Sequence, residues 1–261
     1  MNKITKAALT LNAAGLIRGA RCGARDAARR LVHAYDKIDP FGLPSALPAT
    51  LKQLQTLPSI DLREVVPKLP VIRFDSGYSH TDGSLFTKEL VVLLALLIDW
   101  KPEIILEIGT FCGSTTRALA LNAPGATVHT VDLPLNFDLA SEPLEGMPKD
   151  DFHLIKARRV GKAFVSTPEE KQIAQHFADT AKWNFLPAKG ASFFFIDGAH
   201  TYEYARNDTE KCFSIAATQA RFVWHDVDDL HPGVIRYLHE LAGSGRAIRR
   251  INETALAFFD L

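Results

Sequence analysis

The chain is short of cysteine, of net charge and of long apolar runs. Its 261 residues hold three cysteines, Cys22, Cys112 and Cys212. They are few, far apart and odd in number. That excludes a disulfide framework and a cysteine-rich zinc site, and leaves a reducing cytoplasm as the expected compartment. Lysine plus arginine and aspartate plus glutamate each number 30, so the formal net charge is zero. A general nucleic-acid binder shows a basic excess, so no nucleic-acid partner is expected. The longest apolar stretch, "LVVLLALLIDW" from Leu90 to Trp100, is broken by Asp99. It is too short to span a bilayer and reads as a buried helix. Internal repeats and low-complexity tracts are missing as well.

What is present changes along the chain. Residues 1–38 look helical, and residues 1–25 carry Lys3, Lys6, Arg18, Arg21 and Arg25 without one acid. A basic amphipathic helix can serve as a transit peptide or a membrane-surface element. However, the first serine is Ser45, and no small-residue cleavage site follows an apolar run. A solvated or partner-packing arm is therefore the preferred reading. Membrane contact is not expected, and a homo-oligomer through these helices is. Residues 39–75 are rich in proline (Pro40, Pro44, Pro48, Pro58, Pro67, Pro70), which reads as a linker with short helical pieces. The expected division is 1–75 for extension and linker, and 76–261 for the main domain.

From about residue 76 strands and helices alternate. Helices are expected over Ser84–Trp100, with Thr87 and Glu89 aiding its start, and over Ser114–Asn122, Tyr202–Ala217 and Gly233–Leu241. Strands are expected over Ile104–Ile108, Thr127–Val131, 192–197, 221–226, Ala247–Ile251 and Ala255–Phe259. "STPEE" at 166–170 has a hydroxyl cap, an early proline and acids suited to the helix dipole, so a helix should begin there. Alternation of this kind predicts an α/β fold, a parallel sheet covered on both faces. The unbroken apolar run "FFFI" agrees. Such sheets bind ligands beyond the carboxyl ends of their strands, near the switch in strand order. Glu107, Gly109, Asp132, Asp197 and Asp226 occupy those positions.

"LEIGTFCGSTTRALA" runs from Leu106 to Ala120. Gly109 and Gly113 flank a strand-to-helix turn where a ligand can lie against bare backbone and a helix N-terminus. Asp132, at the end of the next strand, can accept both ribose hydroxyls of an adenosine. The dinucleotide fingerprint G-x-G-x-x-G is absent, since Phe111 takes the second glycine's place, and so is the P-loop lysine. Glu107 would repel a pyrophosphate but suits a cationic amino-acid group. S-adenosylmethionine (SAM), with its ammonium and sulfonium, fits best. Thr110 and Ser114 lie in the same turn and join the expected cofactor set.

These segments, with "TVDL", "VGKAFVSTPEEKQIAQHFADTAKWNF", "FFFIDGAHTYEYARNDTEKC" and "FVWHDV", resemble class I SAM-dependent methyltransferases. The nearest group is the macrocin O-methyltransferase and cephalosporin-hydroxylase-like branch, and the resemblance spans roughly residues 80–260. It implies a Rossmann-like, seven-stranded, mostly parallel sheet with an antiparallel last strand, and an acid, Asp179, helping to hold the adenine end.

Asp197 ends a strand and His200 follows three residues later; His225 and Asp226 end the next strand. A hydroxyl is a poor nucleophile until it loses its proton, so a base or a metal at this rim is useful. Two aspartates supply hard oxygen ligands suited to Mg²⁺, and His200 can take the proton. The resemblance implies the same roles, with Asp197, also counted among the cofactor contacts, and Asp226 as ligands and His200 as base. The chain departs from the family where some members carry two adjacent acids and it carries His225-Asp226. His225 is a candidate ligand there, and Asp228 and Asp229 are substitutes. The expected reaction is O-methylation of a small molecule, a sugar or a secondary metabolite. The alternatives are a nucleotide-cofactor oxidoreductase and a SAM-binding partner protein without turnover.

Overall fold

Apolar side chains at successive positions on short strands, and on one stripe of each helix, suit a sheet with helices on both faces. A computed structural model of the chain describes residues 53, 56–75, 84–137, 155–156 and 159–261. The basic arm, and the oligomer expected through it, fall outside the described residues.

The elements follow in order. They are strand β1 (Ser59–Ile60), helix α1 (Leu62–Val65), α2 (Thr87–Trp100), β2 (Ile104–Ile108), α3 (Ser114–Asn122), β3 (Thr127–Asp132), β4 (Ile173–Phe177), β5 (Phe193–Ile196), α4 (Tyr202–Ile215), β6 (Arg221–Trp224), α5 (Pro232–Gly243), β7 (Arg249–Ile251) and β8 (Ala257–Asp260). The sheet order is β1-β7-β8-β6-β5-β2-β3-β4. All neighbours pair parallel except β8, which runs antiparallel to β6 and β7. The reversed last strand is as expected. The count differs: β2–β8 make the seven that the resemblance implied, six of them read from the sequence and β4 not, and β1 adds an eighth at the edge. It comes from the proline-rich segment, and its Ser59 and Ile60 register with Arg250 and Ile251.

Side chains alternate across the sheet. Leu106, Ile108, Phe194, Ile196, Phe222 and Trp224 pack under α4 and α5. Ile105, Val128, Phe193, Phe195, Val223 and Phe258 pack under α2 and α3. Each strand phenylalanine sealed this way contributes about 2–3 kcal/mol. Trp224 is part of this core, its indole N–H donating to Thr209 Oγ1 at 2.9 Å, as expected of a packing aromatic.

One element was not expected. The hydroxyl–proline–acid start at 166–170 opens only a 3₁₀ helix, Pro168–Gln172, and the chain then turns directly into β4. "IAQHF" has one β-branched residue and no alternation of burial. Its identity as a strand comes from pairing with β3 along Val128–Asp132. Among the described residues, no helix is long and apolar enough to cross a membrane.

Chain order reverses at β2, which has β3 on one side and β5 on the other. The ends of β2 and β5 therefore form the switch point, and the segments after them, from Gly109 and from Asp197, face each other across it.

Candidate active site

Glu107 lies on the α2/α3 face of β2 and is fully buried. Its Oε2 accepts hydrogen bonds from Thr130 Oγ1 at 2.6 Å and from Thr116 Oγ1. Its Oε1 has no partner among the described residues. Burial pushes this carboxyl up to about 8. The two threonine hydroxyls pull it down, and the charges of Asp197 and Asp132 add to the rise. Glu107 thus ties β2 to α3 and β3 from beneath the turn.

The turn itself is tightly bound. Asp132 Oδ2 accepts the Phe111 N–H at 2.7 Å. Thr110 Oγ1 is 2.6 Å from Thr130 Oγ1 and accepts from Gln175 Nε2 at 3.1 Å. Gly109 has φ 96°, and a Cβ there would stand 2.0 Å from the Asp197 carbonyl oxygen. Gly113 has φ 82°, and its Cβ would stand 2.7 Å from the Phe164 ring. The room left by both glycines is therefore filled by the chain itself: by the end of β5 and by the segment around Phe164. That segment is bound to the turn through Gly161 N–H to Phe111 O (3.0 Å) and Ala163 N–H to Cys112 O (2.8 Å). Arg117, one turn into α3, donates to the Ala163 carbonyl at 3.5 Å and pairs with Asp75 at 2.7 Å and Glu169 at 3.0 Å. Ser114 opens α3 and lines a small cavity with Arg73, Asp75, Arg117 and Ala163.

Asp179, after β4, accepts from Ala181 N–H and from the Tyr204 hydroxyl, each at 2.9 Å, so it closes a loop and fixes that loop to α4. The sequence pattern carried no sign of Tyr204 in this role.

The second group gathers at the ends of β5 and β6. His200 Nε2 lies 2.8 Å from Asp226 Oδ2. Asp226 has φ 58°, a left-handed backbone uncommon for a residue with a side chain. His225 is enclosed by three carboxylates. Its Nδ1 lies 3.1 Å from Asp197 Oδ1 and 3.2 Å from Asp226 Oδ1, and its Nε2 lies 3.3 Å from Glu89 Oε2. Burial disfavours a charged ring, but Asp226 and Asp197 outweigh it and raise His225 well above the ordinary range. Burial likewise opposes ionisation of Asp226, yet His225, His200 and His231 hold it well below the usual carboxylate range. His231 completes the group, with Nδ1 2.8 Å from Asp228 Oδ1 and its ring tilted over that of His200 at 4.5 Å.

The structure therefore brings together the predicted Asp197, His200, His225 and Asp226. It adds Glu89 and His231, which sequence reasoning missed, and gives Asp228 a firm place beside His231. Glu89 was expected to aid the start of its helix, and its carboxylate does meet the Phe86 backbone. It also turns inward, 6% exposed, to accept the Ala255 N–H at 2.9 Å and to face His225. An acid in a helix's first turn is common, so no local signal separates this one from a solvated one.

Two triads each offer three donor atoms within 4.8 Å of one another: Asp197, His225 and Asp226, and His200, Asp226 and His231. Both are mixed nitrogen and oxygen sets suited to a divalent ion. The glycine turn is different in kind. The charges of Asp197 and Asp132 repel that of an ionised Glu107 there. A cationic ligand relieves that repulsion and an anionic one worsens it.

Residues 106–227 match the family described as a methyltransferase domain. None of the curated proteins matches the chain in sequence. Among solved structures, one described as a caffeoyl-CoA O-methyltransferase from Staphylococcus aureus is similar at 13% identity and TM-score 0.50, covering 89% of this chain and 97% of its own. The O-methyltransferase TomG from Streptomyces achromogenes, in complex with SAM, is similar at 16% identity and TM-score 0.46, covering 88% and 94%. An O-methyltransferase from Bacillus cereus is similar at 13% identity and TM-score 0.45, covering 88% and 96%. The match over 106–227 falls on the strands and helices around the switch point, so this part of the chain is similar to a methyltransferase domain.

Proposed function

We propose that the chain transfers the methyl group of SAM to a hydroxyl oxygen of a small molecule, with His200 as general base. The observation that carries this reading is the His200–Asp226 pair at 2.8 Å, beside the switch point of the sheet. A carboxylate on one imidazole nitrogen orients the ring and stabilises the imidazolium that forms when the other nitrogen takes a proton. His231, its ring tilted against that of His200 and held by Asp228, helps fix the ring's position.

Bound at the acid–glycine turn, SAM supplies an electrophilic methyl group on a cationic sulfur. In this reading Asp132 takes the ribose, and the backbone of the turn between Gly109 and Ser114 takes the methionine end. Glu107 acts on that end through its field, since its carboxyl is closed to solvent. Asp179, engaged with Ala181 and Tyr204, shapes the adenine end by fixing its loop. Asp197, His225 and Asp226 would hold a divalent ion, which would lower the pKa of a nearby hydroxyl. The balance is simple. The hydroxyl gives its proton to His200, its oxygen forms the new bond to carbon, and the carbon–sulfur bond pair stays on sulfur.

Calorimetry with SAM and its demethylated product, S-adenosylhomocysteine (SAH), tests the reading. Binding of both by the folded chain is expected, and no binding of either overturns it. A panel of hydroxylated small molecules with methyl-labelled SAM then identifies an accepted substrate. On that substrate His200→Ala should lower kcat by about 10²–10⁴ while SAH binding stays unchanged. Unaltered turnover would remove His200 from the role of base.

A further inference from the structure

The triad at the end of β6 contains an imidazole where a purely oxygen-lined site would have another carboxylate, and that changes the ion it selects. His225 Nδ1, Asp197 Oδ1 and Asp226 Oδ1 stand 3.1 and 3.2 Å apart along the two edges that share the nitrogen. Donors bound to one ion at about 2.0–2.2 Å are separated by about 3 Å, so both edges at the nitrogen already have that spacing, and the three residues offer ligand atoms within 4.8 Å of one another.

The ring's far side is equally specified. Nε2 faces Glu89 Oε2 at 3.3 Å. Glu89 is anchored on α2 by its other oxygen, which accepts the Ala255 N–H at 2.9 Å. A carboxylate behind an imidazole holds the proton on the distant nitrogen and turns the near one, as a lone pair, toward an ion. The neighbouring triad lacks this backing in the same form. His231 points the same nitrogen, Nδ1, at Asp226 (3.3 Å) and more closely at Asp228 (2.8 Å), a carboxylate outside its triad.

We propose that the Asp197–His225–Asp226 site takes a borderline first-row transition ion of the Fe²⁺, Co²⁺ or Zn²⁺ class in preference to Mg²⁺, with Glu89 as the residue that positions His225 for it. Mg²⁺ seeks oxygen ligands in near-ideal octahedral geometry. Transition ions gain from an imidazole nitrogen, and carboxylate and water do not reproduce that gain. The inference rests on the site proposed above and adds the class of ion and the role of Glu89.

The test uses the full chain, freed of metal with a chelator. Co²⁺ alone and Mg²⁺ alone are titrated by calorimetry, and the visible absorption of bound Co²⁺ reports nitrogen ligation. SAH binding is measured on the same samples. Co²⁺ should bind at least about tenfold more tightly than Mg²⁺. His225→Asp should narrow that ratio and shift the cobalt band. Glu89→Gln should weaken Co²⁺ binding by about 10–100-fold, with SAH binding retained. Equal affinities in the unaltered chain, an unchanged ratio and band in His225→Asp, or no binding of either ion overturns the proposal. If Glu89→Gln fails to fold, the unaltered chain and His225→Asp still decide. SAH binding without the ion preference sinks this inference alone. The ion preference without SAH binding sinks the methyl-transfer reading alone.

Discussion

Replacing Glu107 by glutamine should flatten the pH dependence of folding stability. The fold holds the Glu107 carboxyl under both β3 and α3, and burial pushes it from an ordinary 4.5 up to about 8. Its folded-state value is raised. The stability it contributes is therefore fully present below 4.5 and is lost as the pH rises through about 8, because the unfolded chain releases the proton first. At about 1.4 kcal/mol per pH unit, that window corresponds to a loss on the order of 5 kcal/mol. Glutamine has no proton to lose. Its amide oxygen can accept from Thr116 and Thr130 as Oε2 does, but its NH₂ would occupy the place of the partnerless Oε1. An unsatisfied buried donor costs about 1–3 kcal/mol. The variant should therefore be the less stable protein at pH 5 and the more stable one at pH 8. Urea unfolding at pH 5, 6, 7 and 8 under constant ionic strength measures this. The difference between the two chains isolates Glu107 from the other titrating groups. A difference that stays constant within about 1 kcal/mol across the series would refute the reasoning.

Other outcomes follow from the same geometry. SAM should bind more tightly to the unaltered chain as pH rises toward 8, since a cation favours ionised Glu107. The Glu107→Gln chain should show a flat profile, and parallel profiles would contradict this. Gly109→Ala should cost about 3 kcal/mol or more in chemical denaturation, because φ 96° and the Asp197 carbonyl at 2.0 Å both oppose a Cβ. A loss under about 1 kcal/mol would mean the turn yields freely. Burial pushes Asp208 up to about 6, so its stability contribution fades as pH rises from 3.8 through 6. Asp208→Asn should therefore gain on the unaltered chain between pH 4 and pH 7, and a constant difference would count against it. Arg117→Met should change global stability by about 1 kcal/mol or less, since its ion pairs are partly exposed. It should speed amide hydrogen exchange around Gly161–Ala163, and unaltered exchange there would show that Arg117 does not hold the segment.

The family resemblance implied the reversed last strand; the sequence by itself determined most of the strand-and-helix order, without β1 and β4, and the acids at the strand ends. Those depend on local periodicity: the five-residue run before Gly109, the apolar "FFFI", the helix starting at Ser114. These patterns repeat within a few residues, so neighbours in sequence suffice to reveal them. Other features are long-range and left no local trace. β4 became a strand through pairing with β3, and β1 became one through β7. Gly109 needs its missing Cβ because of Asp197, 88 positions away (197 − 109). Glu89 reads as an ordinary helix-start acid until α2 is laid against the ends of β6 and β8, where it meets His225 and the Ala255 amide. His231 and Asp228 likewise acquire a role only when the loop after β6 folds back over His200. Which carboxylate faces which imidazole was thus decided by tertiary structure, because burial and charge pairing are set by groups brought together from distant parts of the chain.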